Sequence, residues 1–439
     1  MSGHKVAITE FISGCALADI PPDALHMARR CVVDTLGVWA AGSRTRPSLI
    51  ARNHAARRYA GSLQMPFDGR TTNPVGLAFA GAATIDAVDG HDGHQSCKGH
   101  ASVALLPSLL AEQDALPARD MEDLLVDFIV GSEIALRAGL ALHASAPDYH
   151  SSGAWNALGC AAIGARCRQL SAEQTWHALG IAEYYGPRAQ MMRCIDHPTM
   201  VKDSSAWGAL AGVSAVDLAE DGFTGAPALT CSSVDVSDIW DDLGSRWRIL
   251  ETNFKAYPVC RWAHPAIEGI RALKARQSIS AAEIKSIEVA TFNEAMRLST
   301  PRPIDGDAAQ YSLPLCVALA VHEDVLTPDM LLPAFFDQPT IWATVDQVQL
   351  KEKSDYNAVF PTERLCDVTL HMSDGQILVC TGAEARGNFD APLSDAELVE
   401  KFHLYAASAL TKEQRDRTVE ILTKPGHSIG AKALFDPAT

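Results

Sequence analysis

The chain reads as mainly α with an α+β second domain: a large all-helical domain plus a smaller α+β lid domain. Three observations carry this. Residues 1 to about 240 hold apolar side chains at three- and four-residue spacing almost without interruption. After about residue 245 the spacing switches locally to two, at Ile287, Val289 and Thr291. The 439 residues exceed what one compact core usually fills. The expected division is a helical domain over 1–260, with C-terminal helices of about 390–439 packing back on it, and an α+β lid domain over 261–389.

Pro21-Pro22-Asp23 opens the first helical segment, which runs to about Ala41 with Ala24, Ala28, Cys31, Val32, Leu36 and Trp39 on one face. Further helices are expected near 45–60, 74–88, 100–115, 119–143, 151–169, 171–184 and 204–221. Ser171 and Gln174 form a capping box in which Ser171 is the N-cap. Ala and Gly crowd 151–169, so that helix can approach its neighbours closely and is expected to be buried in a bundle. In the second part, 284–292 alternates as a strand. Residues 366–372 and 376–381 read as a hairpin around an Asp374-Gly375 turn. Helices are expected at 262–276, 307–321, 327–336, 393–407 and 411–422.

Hydrophobic residues make up 47% and charged residues 21% of the chain, a balance that can bury a large core and excludes disorder over most of the length. Lys and Arg total 37 against 53 Asp and Glu, a formal net charge of −16. That argues against nucleic acid as the main partner, because phosphate binding needs a basic surface. No run of about 18 apolar residues is present to span a membrane, and Met1-Ser-Gly-His-Lys5 lacks the apolar core of a secretion signal. The expectation is a soluble, cytoplasmic protein. Eleven cysteines stand as singles from Cys15 to Cys380 with no CxxC pair, the pattern of reduced, buried thiols.

The densest polar constellation is Asp89-Gly-His91-Asp92-Gly-His94-Gln-Ser-Cys97-Lys98-Gly-His100-Ala-Ser102, between two apolar helical stretches. Loops so placed often carry function. Two chemistries compete for it. His91, His94 and His100 with Asp89 or Asp92 could hold a metal; alternatively, His and Asp move protons without one. Three other segments stand out. Tyr149-His150-Ser151-Ser152-Gly153 begins a helix whose first amides could receive an anion. Lys202 precedes the apolar helix of 204–221, and Lys255 lies just before Cys260-Arg261-Trp-Ala-His264. GxGxxG, Walker A and GxSxG signatures are missing, which weakens nucleotide-dependent and serine-hydrolase readings.

Taken in order, these segments resemble the MmgE/PrpD family, which includes 2-methylcitrate dehydratase, cis-aconitate decarboxylase and iminodisuccinate epimerase. The resemblance rests on the Asp89…His100 loop, His150-Ser-Ser-Gly153, Lys202 with Gly222-Phe-Thr-Gly225, Lys255-Ala-Tyr-Pro-Val-Cys-Arg-Trp-Ala-His264-Pro, Ala309-Gln-Tyr-Ser-Leu-Pro314 and Pro392-Leu-Ser-Asp395. It implies a homodimer with the site in a cleft between the two domains, no metal and no organic cofactor. It further implies Asp89, His100, His150 and Lys202 as catalytic residues, with Lys255, Arg261, His264, Asp92 and Tyr311 binding substrate. Three features depart from the family pattern: Ala101 where a proline is usual, a Lys202 segment one residue shorter, and Leu315 where a tyrosine is frequent.

The shared chemistry is a carbanion formed beside a carboxylate of a small di- or tricarboxylate. Lys202 and Lys255 would anchor the acid, His150 would take the α-proton, and His100, held by Asp89, would return one. The expectation is a cofactor-free lyase that dehydrates a 2-methylcitrate-like hydroxy acid. The alternatives are decarboxylation of a cis-aconitate-like acid and epimerisation of an iminodisuccinate-like one.

Overall fold

The computed structural model describes residues 3–112 and 120–423. The longer helices are α1 (Gly3–Gly14), α2 (Pro22–Gly42), α3 (Arg46–Arg58), α4 (Pro74–Asp86), α5 (Ser102–Ala111), α6 (Met121–Ser145), α7 (Gly153–Cys167), α8 (Ala172–Tyr185) and α9 (Ser205–Glu220). They build a bundle in which α7 packs against both α6 and α9. The crowd of small residues explains that closeness: a Cβ added to Gly159 of α7 would lie 2.5 Å from the Gly131 carbonyl oxygen of α6. Ser171 caps α8 in the expected box with Gln174. The final turns expected up to residue 115, and the start expected at 119, lie outside the described residues.

The second part holds α10 (His264–Arg276) and α11 (Leu313–His322), then α12 (Asp395–Ala406) and α13 (Lys412–Thr423). Two short pairs, β1 (Leu63–Gln64) with β2 (Thr71–Thr72) and β3 (Gly93–His94) with β4 (Thr252–Asn253), precede a four-stranded sheet. Its strands β5 (Ile284–Thr291), β6 (Val348–Glu352), β7 (Leu365–Met372) and β8 (Ile377–Glu384) run in the order β6-β5-β7-β8. β6 lies parallel to β5, while the β5–β7 and β7–β8 pairs are antiparallel. The hairpin turns where expected, with Gly375 at φ +91°, a conformation that favours glycine. Helix α10 covers β7 and β8.

Two expected helices are broken. Residues 307–321 form a helical turn (Gly306–Ala309) and then α11, because Pro314 has no N–H to continue the ladder and Ser312 caps the new start through the Leu315 amide at 3.3 Å. Residues 327–336 split at Pro333, which holds Leu332 extended. The short helices Pro339–Val345 and Ser354–Val359 and the strand β6 have no counterpart in the sequence reading.

Two apolar cores result. One unites α1, α2 and α4–α9 with α12 and α13, so α12 lies along α2; the other joins α10, α11 and the sheet, while α3 contributes Ala55 to a small separate cluster with Met65 and Ala80. In the first core, Trp39 and Trp155 are essentially inaccessible, and truncating either to Ala would cost about 3–5 kcal/mol. All eleven cysteines are buried free thiols. Among the described residues no helix is long and apolar enough to cross a membrane.

Candidate active site

A small cavity of about 70 Å³ draws its walls from both cores: Asp89, His94, Lys98 and His100 from the loop after α4, Tyr149 and Asp203 from either side of α7, and Lys255, Arg261, Tyr311 and Arg364 from the second half. The loop is pinned where β3 pairs with β4, Gly93 opposite Asn253 and His94 opposite Thr252. Its far end is held by the His100 amide, which donates to Ser152 Oγ at 2.9 Å. Helix α7 approaches the 202–204 turn so closely that a Cβ on Gly153 would meet the Ser204 carbonyl at 2.4 Å. That turn bends with Lys202 at φ 44° and Ser204 at φ 56°, left-handed values that cost energy for residues with side chains.

Asp89 is buried and paired with Lys255, whose ammonium also donates to the Asp89 carbonyl at 3.2 Å. Burial would raise the Asp89 carboxyl, but Lys255, His100 and His91 outweigh it and hold the group below the usual carboxylate range. The Asp89 amide donates to Gln310 Oε1 at 2.6 Å. His100 directs Nδ1 to the Asp92 carbonyl at 2.5 Å and Nε2 to Asp203 Oδ2 at 3.1 Å. Burial first, then the neighbouring His91 ring and Lys255, hold His100 neutral, well below an ordinary imidazole. Asp203 is pushed up to about 7 by burial and by the carboxylates of Asp86 and Asp89.

His91 and His100 pack edge to face with ring centres 4.3 Å apart, but the three loop histidines direct their Nε2 atoms to different carboxylates. His91 faces Asp86 at 3.5 Å, His94 faces Glu251 at 3.3 Å and His100 faces Asp203. Among the described residues no group of three or more His, Cys, Asp or Glu side chains is placed to hold a metal ion. Asp92 accepts from Ser102 behind the cavity wall, and burial raises its carboxyl to about 6.

Lys98, Arg261 and Arg364 line the cavity, and among the described residues none has a carboxylate within ion-pair distance. Arg261 is steadied by the Phe254 carbonyl at 3.1 Å and Asn388 Oδ1 at 2.6 Å. Burial and the nearby Arg364 lower its guanidinium to about 9. Burial lowers Arg364 as well.

Residues 6–234 match the MmgE/PrpD N-terminal domain and residues 257–424 the MmgE/PrpD C-terminal domain. The chain belongs to the MmgE/PrpD family. Similar curated proteins include a cis-aconitate decarboxylase-like protein of Aspergillus oryzae, 23% identical over 91% of this chain and 90% of its own length. The cis-aconitate decarboxylases of Aspergillus terreus and Homo sapiens are each 22% identical, over 96% and 94% of this chain and 92% and 89% of their own lengths.

Of the residues implied by the MmgE/PrpD resemblance, the cavity gathers Asp89, His100, Lys255, Arg261 and Tyr311. His150, Lys202, His264 and Asp92 lie outside its lining. His150 sits in a backbone bridge to Gln190 with its Nδ1 buried and unbonded. Lys202 turns to Asp307 at 3.1 Å, its ammonium 5.0 Å from the centre of the Tyr311 ring. His264 Nε2 lies 3.1 Å from the Val259 carbonyl, with its ring packed on Tyr257. The first amides around α7 are not open to an anion: Ser151 donates to the Ala189 carbonyl at 2.9 Å and Gly153 to the Asp203 carbonyl at 3.1 Å. Leu315 is core, and Tyr311 lines the cavity together with Tyr149. Lys98 and Tyr149 fell inside the polar segments read from the sequence but were given no role there; Asp203 and Arg364 were not singled out, and only the unusual Lys202-Asp203-Ser-Ser run, at the shortened segment, hinted at the first.

Proposed function

We propose that the cavity binds a small di- or tricarboxylate and forms a carbanion beside one of its carboxylates, making the protein a cofactor-free lyase. The observation that carries this is the set of cations, Lys98, Arg261 and Arg364, that line the cavity together with His100 and, among the described residues, have no carboxylate partner. Arg261 is buried and Lys98 and Arg364 are half-buried; cations so withdrawn from water and left unpaired are costly unless a ligand completes them, and a polycarboxylate supplies the missing charges. Charge-assisted hydrogen bonds contribute about 1.5–3 kcal/mol each. Held in place beforehand, the same cations stabilise the dianion as it forms, usually the largest catalytic contribution.

The reading we favour is decarboxylation of a cis-aconitate-like acid, supported by the similarity to cis-aconitate decarboxylases over most of both chains. A second reading is dehydration of a 2-methylcitrate-like hydroxy acid. It is supported by a proton acceptor and a proton donor standing side by side, His100 held neutral and Asp203 raised to about 7. Incubation with cis-aconitate, 2-methylcitrate and iminodisuccinate separates the outcomes as released CO2, a new ultraviolet-absorbing alkene, or a changed optical rotation. If none of the three raises the melting temperature or is turned over, the polycarboxylate reading is wrong.

The homodimer implied by the family belongs to the same proposal. Tyr184, Tyr185, Val201 and Trp207 are more than half exposed, and apolar side chains of that size left in water suit a subunit contact. Light scattering should then give twice the 47.1 kDa of one chain.

A further inference from the structure

The contact between His100 and Asp203 fixes the place of one proton. His100 Nδ1 lies 2.5 Å from the Asp92 carbonyl, and a carbonyl only accepts, so Nδ1 carries a hydrogen. In the neutral ring, Nε2 is then a bare acceptor, 3.1 Å from Asp203 Oδ2. An imidazole lone pair and an ionised carboxylate do not bond; the contact requires a proton between them.

The surroundings put that proton on the carboxyl. Burial, the His91 ring and Lys255 disfavour an imidazolium at His100, against the weaker opposite pull of Asp89 and the Asp92 carbonyl. Burial, Asp86 and Asp89 disfavour an ionised Asp203, against the weaker opposite pull of His91 and Lys255. The other titratable groups near Asp203 are Tyr149, Tyr311, Cys194 and Cys260, all kept neutral by burial. The adjacent Lys202 turns away to Asp307. Asp203 Oδ1 is buried and has no hydrogen-bond partner, and the residue is held on the cavity wall by the left-handed backbone on both sides of it.

We propose that Asp203 is the proton donor of this site: its carboxyl, hydrogen-bonded to His100 Nε2, gives its proton to the substrate carbon that becomes a carbanion. This rests on the polycarboxylate reading above. When the C–C bond to the departing carboxylate breaks, CO2 leaves and the electron pair shifts through the adjacent C=C onto the alkene carbon beside a remaining carboxylate, into which it is spread. The Asp203 O–H bond then breaks, its hydrogen joins that carbon, and the pair left on oxygen makes the carboxylate. Water restores the proton before the next turnover.

Two measurements test this. The first uses substrate-free protein with ¹⁵N-labelled histidine, His100→Gln identifying the His100 signal. The wild type should show a neutral Nδ1–H ring whose Nε2 shift moves near pH 7, and in Asp203→Asn that movement should vanish. The second is CO2 release from cis-aconitate. Asp203→Asn should lower kcat by about 10²–10⁴-fold with KM within about threefold, lose the fall in rate above neutral pH, and be partly rescued by Asp203→Glu. A doubly protonated His100 ring at neutral pH, or an Asp203→Asn enzyme within threefold of wild-type kcat, overturns the proposal. The NMR arm needs no substrate, so an intact titration in a protein that turns over none of the three acids overturns the substrate reading and the donor role together, while the proton's place stands.

Discussion

At the scale of single residues, the cavity works by leaving charges unmatched. Arg364 stands just before β7, its Nε without a hydrogen-bond partner and burial already lowering its guanidinium, so it gains from a carboxylate. Arg364→Ala should weaken polycarboxylate binding by about 10- to 100-fold, the equivalent of one charge-assisted interaction. Arg364→Lys should restore only part, because an ammonium cannot make the planar two-point contact. Isothermal titration with cis-aconitate reads both, and an unchanged affinity in the Ala variant would remove Arg364 from the site. Asp203 shows the cost of such a cavity. Its folded carboxyl holds a proton up to about pH 7, whereas unfolded it ionises near pH 4. The folded state therefore binds more protons between those values, and this residue's contribution to stability falls as pH rises through that window. Asp203→Asn escapes the penalty, so its melting temperature should gain on the wild type between pH 4 and 7 and keep a constant lead above. A difference that does not change with pH would refute it.

At the scale of elements, one buried ion pair ties the last helices to the site. Lys401 of α12 is paired with Asp34 of α2 at 2.5 Å and donates to the Gly90 carbonyl in the site loop, also at 2.5 Å. Burial lowers Lys401 and raises Asp34, so each needs the other to stay charged. Lys401→Met leaves Asp34 buried alone and should destabilise the protein by about 3–5 kcal/mol in urea unfolding. It should also reduce turnover, because Gly90 adjoins Asp89. A variant of wild-type stability would show that Asp34 takes up a proton at little cost. Elements of this kind were readable from sequence where local signals agreed: Pro22 opening α2, the Ser171 capping box, and the Asp374-Gly375 turn. They were unreadable where a single proline broke an apolar run, as Pro314 and Pro333 do. The site was half legible for a similar reason. Asp89, His100 and Lys255 sit in dense polar runs, but Asp203 reads as part of a solvated turn until the fold brings it to His100. Arg364 has no local pattern at all. His150 and Lys202 looked like cavity residues in sequence, and what sets them behind the wall is the backbone bridge to Gln190 and the pairing with Asp307.

At the scale of the whole molecule, two fields of opposite sign would act on the proposed polycarboxylate. The chain carries a net −16, while the cavity presents Lys98, Arg261 and Arg364, which have no carboxylate partner among the described residues. Their ranges differ. At about 10 mM salt the screening length is about 30 Å, so an approaching trianion feels the acidic surface first; at about 150 mM it is about 8 Å, and only the charges lining the cavity still count. Those partly buried cations are screened less than the exposed carboxylates. Raising salt from about 10 to 150 mM should therefore increase kcat/KM for a tricarboxylate, through faster association, and leave kcat unchanged. An uncharged ester of the same acid should show no such rise in binding. If kcat/KM instead falls steadily from the lowest salt, the cations project their field beyond the cavity mouth and steer the substrate in, and the acidic surface does not govern the encounter.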